Sequence, residues 1–312
     1  MVFFKIVRNT LQPLGCLTNF QTVASKVNAT RTYVRWVSRR PAAIVNEDEL
    51  YETEDTTTTG GIFVKSRKRR EKNDEIILEG RRQIKEGLDA GAVLETILFN
   101  NPSDIDALDI PSEAKLYKVP YRTIQLWSSL TNSSGLIGIF KTPDVRTKEP
   151  ADDALPLTII CDNVREPGNL GSIMRAAAGV GCEKLILTKG CVDLWDPKVL
   201  RSAAGAHFRM PIHLRASMGV FNADPETFTA ISTANDNDAT TKESKQRAEI
   251  VLVLGGETEG LSLDSHEFLN ERKGIRINIP LLNGVDSLNT GVALGIVTFE
   301  MKRQFIKRQS EL

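Results

Sequence analysis

The chain has 312 residues, of which 41% are hydrophobic and 26% are charged, and its 40 basic side chains balance 40 acidic ones. This composition is typical of a globular protein with room for two modest domains. No stretch approaches the roughly 20 continuous apolar residues that are needed to cross a bilayer, so the sequence excludes a membrane-spanning protein.

The first 46 residues differ from the rest, because they contain seven Lys or Arg and no Asp or Glu. A basic, acid-free start mixed with Ser, Thr and apolar residues is typical of a mitochondrial transit peptide, and a basic RNA-binding tail is the alternative. We expect residues 1–46 to be a transit peptide that directs the protein to the mitochondrial matrix. Without it the chain is mildly acidic, with 33 basic residues against 40 acidic ones.

Residues 47–72 have the composition of a linker, in which an acidic, Thr-rich stretch runs into a basic cluster. The basic side chains here and just beyond are Lys65, Arg67, Lys68, Arg69, Arg70, Lys72, Arg81, Arg82 and Lys85. They predict a patch that contacts RNA phosphates without reading sequence. For the first six residues, a solvated charged surface is the alternative.

Cysteine and histidine spacing predicts neither a metal site nor a disulfide framework, because the sequence has no C-x-x-C pair. These residues are Cys16, Cys161, Cys182, Cys191, His207, His213 and His266. We therefore expect no metal ion and reduced, mostly packed thiols.

A small domain is predicted over residues 73–145. Apolar residues at helical spacing predict its first helix, and a strand-type run at 93–99 follows. The apolar residues of that helix are Ile76, Ile77, Ile84 and Leu88. A strand at 116–119, a helix at 123–130 and a strand at 135–140 complete the domain before Pro143 and Pro150.

A second domain is predicted over residues 155–312, where strands and helices alternate. The strands are expected at 155–161, 184–188, 228–232, 250–254 and 274–279, and the main helices at 173–180 and 288–299. This α/β alternation favours a largely parallel sheet covered by helices. Residues 234–249 are almost free of apolar side chains and predict a loop.

Ligands of open parallel sheets bind beyond the carboxyl ends of the strands, so the loops after these strands are the places to search. Loop one (162–175) is polar and Gly-punctuated, loop two (255–260) reads GGETEG, and loop three (279–289) leads into the last helix. Each has an ordinary interpretation as well: helix capping by Asn169, a simple turn, and a Ser or Asn helix start, respectively.

Together the three loops resemble the three sequence motifs of the SpoU branch of the SPOUT RNA 2'-O-methyltransferases. The resemblance covers almost the whole chain after the leader, and residues 76–145 resemble the small α/β substrate RNA-binding domain of the family. The run at 194–208, LWDPKVLRSAAGAHF, resembles the mitochondrial rRNA methylases of this family. No G-x-G-x-x-G or phosphate-loop pattern competes with this assignment.

The resemblance implies a SPOUT catalytic domain with a C-terminal trefoil knot that binds S-adenosylmethionine. By motif position the cofactor would contact Thr233, Gly255, Gly256, Ile279 and Leu288. Glycines at 255 and 256 let backbone approach a ligand closely, and the two aliphatic side chains offer apolar contact to adenine.

The resemblance also assigns catalytic roles to Arg175, Asn169, Glu257, Ser287 and Asn289. A ribose 2'-hydroxyl is a poor nucleophile at neutral pH and must be oriented and deprotonated. Guanidinium holds its proton above a pKa of about 12, so for the motif-one arginine we favour a positioning and electrostatic role. The third motif departs from the family at positions 290 and 291, where Thr-Gly replaces Val-Ser.

The implied function is 2'-O-methylation of mitochondrial large-subunit rRNA at a guanosine. A mitochondrial tRNA 2'-O-methyltransferase and a non-catalytic ribosome-assembly factor are the alternatives. The family works as a homodimer, and the last helix offers apolar residues for that contact, although packing within one chain would use them equally. They are Leu288, Val292, Ile296, Val297 and Phe299.

Overall fold

The computed structural model describes residues 4–8, 44–45, 67–216 and 250–310. Two sheets organise this part of the chain. Strands β1 (Phe4–Arg8) and β2 (Ile44–Val45) precede residue 67 and join different sheets.

The small domain is a five-stranded sheet in the order β2-β5-β4-β6-β3. β5 is parallel to β2 and β4, whereas β6 is antiparallel to β3 and β4. In chain order its elements are α1 (Arg67–Asn73), β3 (Glu75–Glu79), α2 (Arg81–Asp89), β4 (Leu94–Phe99), a 3-10 turn (Pro102–Asp104), β5 (Lys115–Lys118), α3 (Tyr121–Trp127) and β6 (Leu136–Lys141).

The catalytic domain is a six-stranded sheet in the order β11-β1-β10-β7-β8-β9. The four strands β10, β7, β8 and β9 are mutually parallel, which confirms the predicted parallel sheet. In chain order the elements are β7 (Leu155–Asp162), α4 (Pro167–Val180), β8 (Cys182–Thr188), α5 (Pro197–Ala203), a 3-10 turn (Ala206–Phe208), β9 (Ile212–Ala216), β10 (Ile250–Gly255), α6 (Leu263–Glu271), β11 (Ile275–Ile277) and α7 (Thr290–Ser310).

The start of the small domain differs from the prediction. Ile76 and Ile77 belong to strand β3, not to a helix, because β3 is an edge strand whose apolar run is buried on both faces. Gly80, with φ of +87°, ends the strand, and the helix begins only at Arg81. A short apolar run fits helix and strand equally well by periodicity, which explains the error. The predicted linker 47–72 is also too long, since α1 includes its last residues.

The predicted transit peptide contains strand β1. Phe4–Arg8 pairs antiparallel with β10 and with β11, so it lies between two strands of the catalytic sheet. Residues 1–3, 9–43 and 46–66 lie outside the described part, as do the predicted strand at 228–232 and loop at 234–249. Transit-peptide function and the trefoil knot therefore stay predictions.

The two domains share an apolar interface formed by the run at 194–208. Leu200 and Phe208 of the catalytic domain are buried in the core of the small domain, together with Ile76, Ile84 and Phe140. Burial of such side chains contributes roughly 1.5–3 kcal/mol each. The run that resembles mitochondrial rRNA methylases is therefore the contact that joins the substrate domain to the catalytic domain.

Arg70 makes a polar contact across the same interface. Its Nη2 lies 2.8 Å from Asp193 Oδ2, and the arginine is only 6% exposed. Removal of one partner of such a buried ion pair strongly destabilises the folded protein, because the other charge stays buried without a partner. The prediction that Arg70 contacts RNA is therefore wrong, because its guanidinium is used between the domains.

His207 lies buried in this interface, with its ring stacked on Trp195 at a centroid distance of 5.1 Å. Its Nε2 donates to the carbonyl oxygen of Leu194 at 2.8 Å, which leaves Nδ1 buried without a partner in the described part. Burial lowers the pKa of His207 from 6.5 to about 4. The folded protein therefore holds this imidazole neutral.

This lowered pKa predicts acid sensitivity. Between pH 6.5 and pH 4 the unfolded chain binds a proton that the folded chain excludes, so stability falls as the pH decreases through this range. The loss at pH 5.5 is about 1.4 kcal/mol relative to neutral pH. In His207→Gln the amide can still donate to Leu194, but no imidazole remains to be protonated. Between pH 7.5 and pH 5.5 we expect the free energy of unfolding of this variant, measured with urea, to decrease by about 1.4 kcal/mol less than that of the parent. Equal losses in parent and variant would contradict the assignment.

Candidate active site

Loop one begins where β7 ends, at Asp162, and continues through Asn163 in a left-handed conformation with φ of 55°. Glu166 caps helix α4, because its carboxylate accepts from the backbone N–H of Asn169 at 2.5 Å. The alternative that Asn169 is the cap is therefore wrong. Asn169 is the third residue of the helix, and its side chain is available for another loop.

The buried carboxylate of Asp162 ties three elements together. Its Oδ2 accepts from Ser262 N and from Ser265 Oγ, each at 2.6 Å, and its Oδ1 accepts from Thr188 Oγ1 at 3.3 Å. The backbone oxygen of Asp162 also accepts from Gly256 N at 2.9 Å. One acid at the end of β7 thereby fixes loop two and the start of α6 against the sheet.

Loop two is a closed turn in which Gly256 and Gly260 exchange backbone hydrogen bonds of 3.1 and 2.9 Å. A Cβ at Gly255 would lie 2.5 Å from the carbonyl carbon of Gly260, and one at Gly256 would overlap the carbonyl oxygen of Asn163. The sequence suggested that these glycines make room for a ligand. The structure gives a further reason, since the protein's own backbone occupies the space that side chains would need.

Loops one and three are joined by a hydrogen bond between two asparagines. Asn289 Nδ2 donates to Asn169 Oδ1 at 2.8 Å, while Asn289 Oδ1 accepts from the backbone N–H groups of Gly291 and Val292. Asn289 therefore caps α7 and orients Asn169 at the same time.

Loops two and three are joined through Glu257. Thr290 Oγ1 donates to Glu257 Oε1 at 3.1 Å, and Thr290 is almost fully buried. A Cβ at Gly291 would overlap the Ser172 hydroxyl of α4, so this position packs too closely for a side chain. The departure of the sequence from the family motif at these two positions thus has a structural role here.

A cleft of about 460 Å³ opens between loops one and two. Arg165 and Glu259 form an ion pair of 2.6 Å between the same loops. The cleft is lined by Asn163, Val164, Arg165, Glu166, Pro167, Asn169, Gly255, Gly256, Glu257, Thr258, Glu259 and Thr290. Four of the ten predicted site residues therefore line one cleft, and a fifth, Asn289, is bonded to its wall.

The remaining predicted site residues lie apart from this cleft. Arg175 is exposed and makes no hydrogen bond or ion pair with the described residues. Ser287 is exposed, and Ile279 and Leu288 pack half-buried against the catalytic core. Thr233 lies outside the described residues.

The three described cysteines are free, and burial raises the pKa of each thiol, that of Cys182 to about 12. A raised pKa disfavours the reactive thiolate. Among the described residues no group of His, Cys, Asp and Glu side chains could hold a metal ion, and no helix is long and apolar enough to cross a membrane.

Sequence reasoning missed the residues that support the site, Asp162 above all. Its signal was available, since a carboxylate that ends a run of apolar strand residues is rarely buried without a bonding role. Its partners carried no comparable signal, because hydroxyl residues are common in loops. These partners are Thr188, Ser262 and Ser265.

Comparison with known proteins agrees with this geometry. Residues 156–299 match the SpoU rRNA Methylase family, and residues 64–138 match a domain described as MRM3-like substrate binding domain. The chain is 37% identical to human rRNA methyltransferase 3, mitochondrial, over 85% of this chain and 76% of that protein. A 23S rRNA guanosine 2'-O-methyltransferase of Bacillus subtilis is 25% identical over 76% of this chain and 92% of that one.

A crystal structure described as an RNA 2'-O ribose methyltransferase superposes with a TM-score of 0.60 and 26% identity, covering 85% of this chain and all of the other. The chain therefore belongs to the SpoU rRNA methylase family of RNA methyltransferases.

Proposed function

We propose that this protein transfers a methyl group from S-adenosylmethionine to the ribose 2'-hydroxyl of a guanosine in mitochondrial large-subunit rRNA. The observation that carries the proposal is the joining of three separate loops by the Asn169–Asn289 and Glu257–Thr290 hydrogen bonds. The names of the human and Bacillus relatives support the substrate and the guanosine.

The cleft fits the cofactor in charge and size. S-adenosylmethionine carries a positive sulfonium, and the cleft presents the carboxylates of Glu166, Glu257 and Glu259. Its volume of about 460 Å³ lies within the range of small-molecule sites. Gly255 and Gly256 would place backbone beside the ligand, while Ile279 and Leu288, which do not line the cleft, would contact only a part of the cofactor that extends beyond it to loop three. When bound, the cofactor supplies an electrophilic methyl group.

The protein's own residues would orient the acceptor. The 2'-oxygen of the acceptor would take the methyl group that the bound cofactor supplies, and its hydroxyl proton would pass to solvent water. Asn169 and Asn289 hold each other in one geometry, so their amides are pre-oriented for a polar substrate group. Ser287 would add a hydroxyl from the same loop.

Arg175 lies on the face of α4 that adjoins an exposed apolar stripe of α7, and this position suggests that it acts in the cleft of a partner subunit. Phe299 lies against Gly179 of α4, and Arg175 is one turn earlier on that face. Val292, Ile296 and Phe299 are each about half exposed at spacings of four and three residues, whereas Val297 is buried in the core. We infer that this stripe forms the homodimer contact and that Arg175 acts in the partner's cleft.

We further propose that residues 1–46 direct the protein to the mitochondrial matrix. The mitochondrial names of the relatives support this location. If the leader is removed after import, strand β1 leaves the sheet, and β10 and β11 lose the partner that lies between them.

The proposed role of Arg175 predicts that Arg175→Ala removes methyl transfer and leaves the fold intact, because this side chain is exposed and makes no hydrogen bond or ion pair with the described residues. Loss of an arginine that orients the hydroxyl should lower the rate by several powers of ten, each about 1.4 kcal/mol of transition-state stabilisation. Arg175→Lys should not restore it, since an ammonium lacks the planar fork. Single-turnover methylation of an rRNA fragment measures the rate of each variant, and calorimetric cofactor binding is the control for an intact fold. Near-parental rates would refute the assignment.

Action across the dimer predicts complementation between two inactive variants. Arg175→Ala keeps its cleft, and Asn289→Ala keeps its arginine, so a mixed dimer contains one complete site. Random mixing at equal amounts should recover about a quarter of parental activity. Arg175→Ala mixed with Arg175→Lys is the matched control and should stay inactive. If the first mixture also stays inactive although mixed dimers are detected by mass, Arg175 acts within its own chain.

A further inference from the structure

Several of the cations predicted to bind RNA are already paired with carboxylates within the small domain. Arg67 pairs with Glu71 at 3.0 Å, Arg82 with Glu86 at 3.1 Å and Lys85 with Asp89 at 2.9 Å. Such exposed pairs contribute little stability, but each carboxylate cancels positive potential that would attract phosphate. Helix α2, in which Arg81 is also paired with Asp104 at 3.7 Å, is therefore a poor candidate for the main RNA contact, whereas α1 still presents the exposed Lys68 and Lys72.

A different part of the same domain has unopposed positive charge. Residues 114–143 contain four Lys or Arg and no Asp or Glu. Two of the four, Lys118 and Arg122, are exposed and make no hydrogen bond or ion pair with the described residues. Lys118 ends β5 and Arg122 lies in the first turn of α3, so the two cations flank the start of that helix.

An exposed aromatic residue lies between these cations in the sequence. Tyr121 is 42% exposed, yet its hydroxyl donates to the carbonyl oxygen of Ser133 at 3.1 Å. Its Cδ2 lies only 3.5 Å from where a Cβ would stand on Gly135, whose φ is +72°. The ring is thus held at its tip and packed along its edge while much of its surface stays open. A fixed aromatic side chain loses little entropy when a base stacks on it.

We propose that Lys118, Tyr121 and Arg122 form a contact surface for an unpaired segment of the RNA substrate. A base stacks on the Tyr121 ring, and the adjoining phosphates pair with the two cations. The exposed polar side chains of Thr131, Asn132 and Ser134 lie in the loop that holds the Tyr121 hydroxyl. The choice of rRNA as ligand rests on the proposed function, but the surface itself does not depend on the methyl-transfer chemistry.

The test measures fluorescence anisotropy of a labelled mitochondrial large-subunit rRNA fragment with the full chain at several salt concentrations. In Lys118→Gln/Arg122→Gln the slope of log affinity against log salt should become shallower by about 1.4, which corresponds to two phosphate contacts on a single strand. Tyr121→Ala should weaken binding on the order of tenfold. Tyr121→Phe, which keeps the ring, should bind within about twofold of the parent.

Arg82→Gln/Lys85→Gln is the matched control, because it removes two charges from the same domain at cations that are already paired. Its salt slope should equal that of the parent. A parental slope in Lys118→Gln/Arg122→Gln overturns the proposal and leaves this face to another kind of partner, such as a protein. If Tyr121→Ala fails to fold, the slope of the double variant decides. A parent that binds rRNA but transfers no methyl group refutes the proposed function alone, because the salt slope still tests the surface.

Discussion

Asp162 is the residue on which the geometry of the site depends. It ends the central strand β7, and its carboxylate accepts hydrogen bonds from the last residue of β8 and from two serines that follow β10. Hydrogen bonds to a buried charge contribute about 1.5–3 kcal/mol each, and the partners become unsatisfied when the charge is removed. The hydrogen bonds of Asp162 therefore fix the positions of the loops that form the cleft, at the carboxyl ends of the strands.

The polar side chains of the cleft are oriented in turn by contacts between the loops. Asn289 both caps α7 and donates to Asn169, so the position of the last helix is coupled to the start of α4. Thr290 couples the same helix to Glu257 of loop two. Such supporting contacts hold reacting groups within the narrow geometry that catalysis needs. The position of Arg175 outside this network is what makes a contribution from a partner subunit the natural arrangement.

The sequence was sufficient for the parallel sheet and for the cleft, because buried strands and polar, Gly-rich loops have strong local patterns. Their positions after strands placed the three loops at one edge of the sheet, and the family resemblance assigned Asn169, Gly255, Gly256 and Glu257, which line one cleft, to the site. Sequence reasoning failed at Ile76, where a short apolar run fits two periods, and at Arg70, whose charge is neutralised by Asp193, which is distant in sequence. Local periodicity carries no information on ion pairs between residues that are far apart in the sequence, or on burial by such residues.

We propose that this protein methylates a ribose of mitochondrial large-subunit rRNA, with an active site that loops one, two and three form together. The most direct measurement maps 2'-O-methylation across mitochondrial RNA after depletion of the protein and after rescue with the parent or with Asn169→Ala. The account predicts loss of methylation at a guanosine of the large-subunit rRNA, restored by the parent and not by the variant. Unchanged rRNA methylation after depletion, or full restoration by Asn169→Ala, would contradict it.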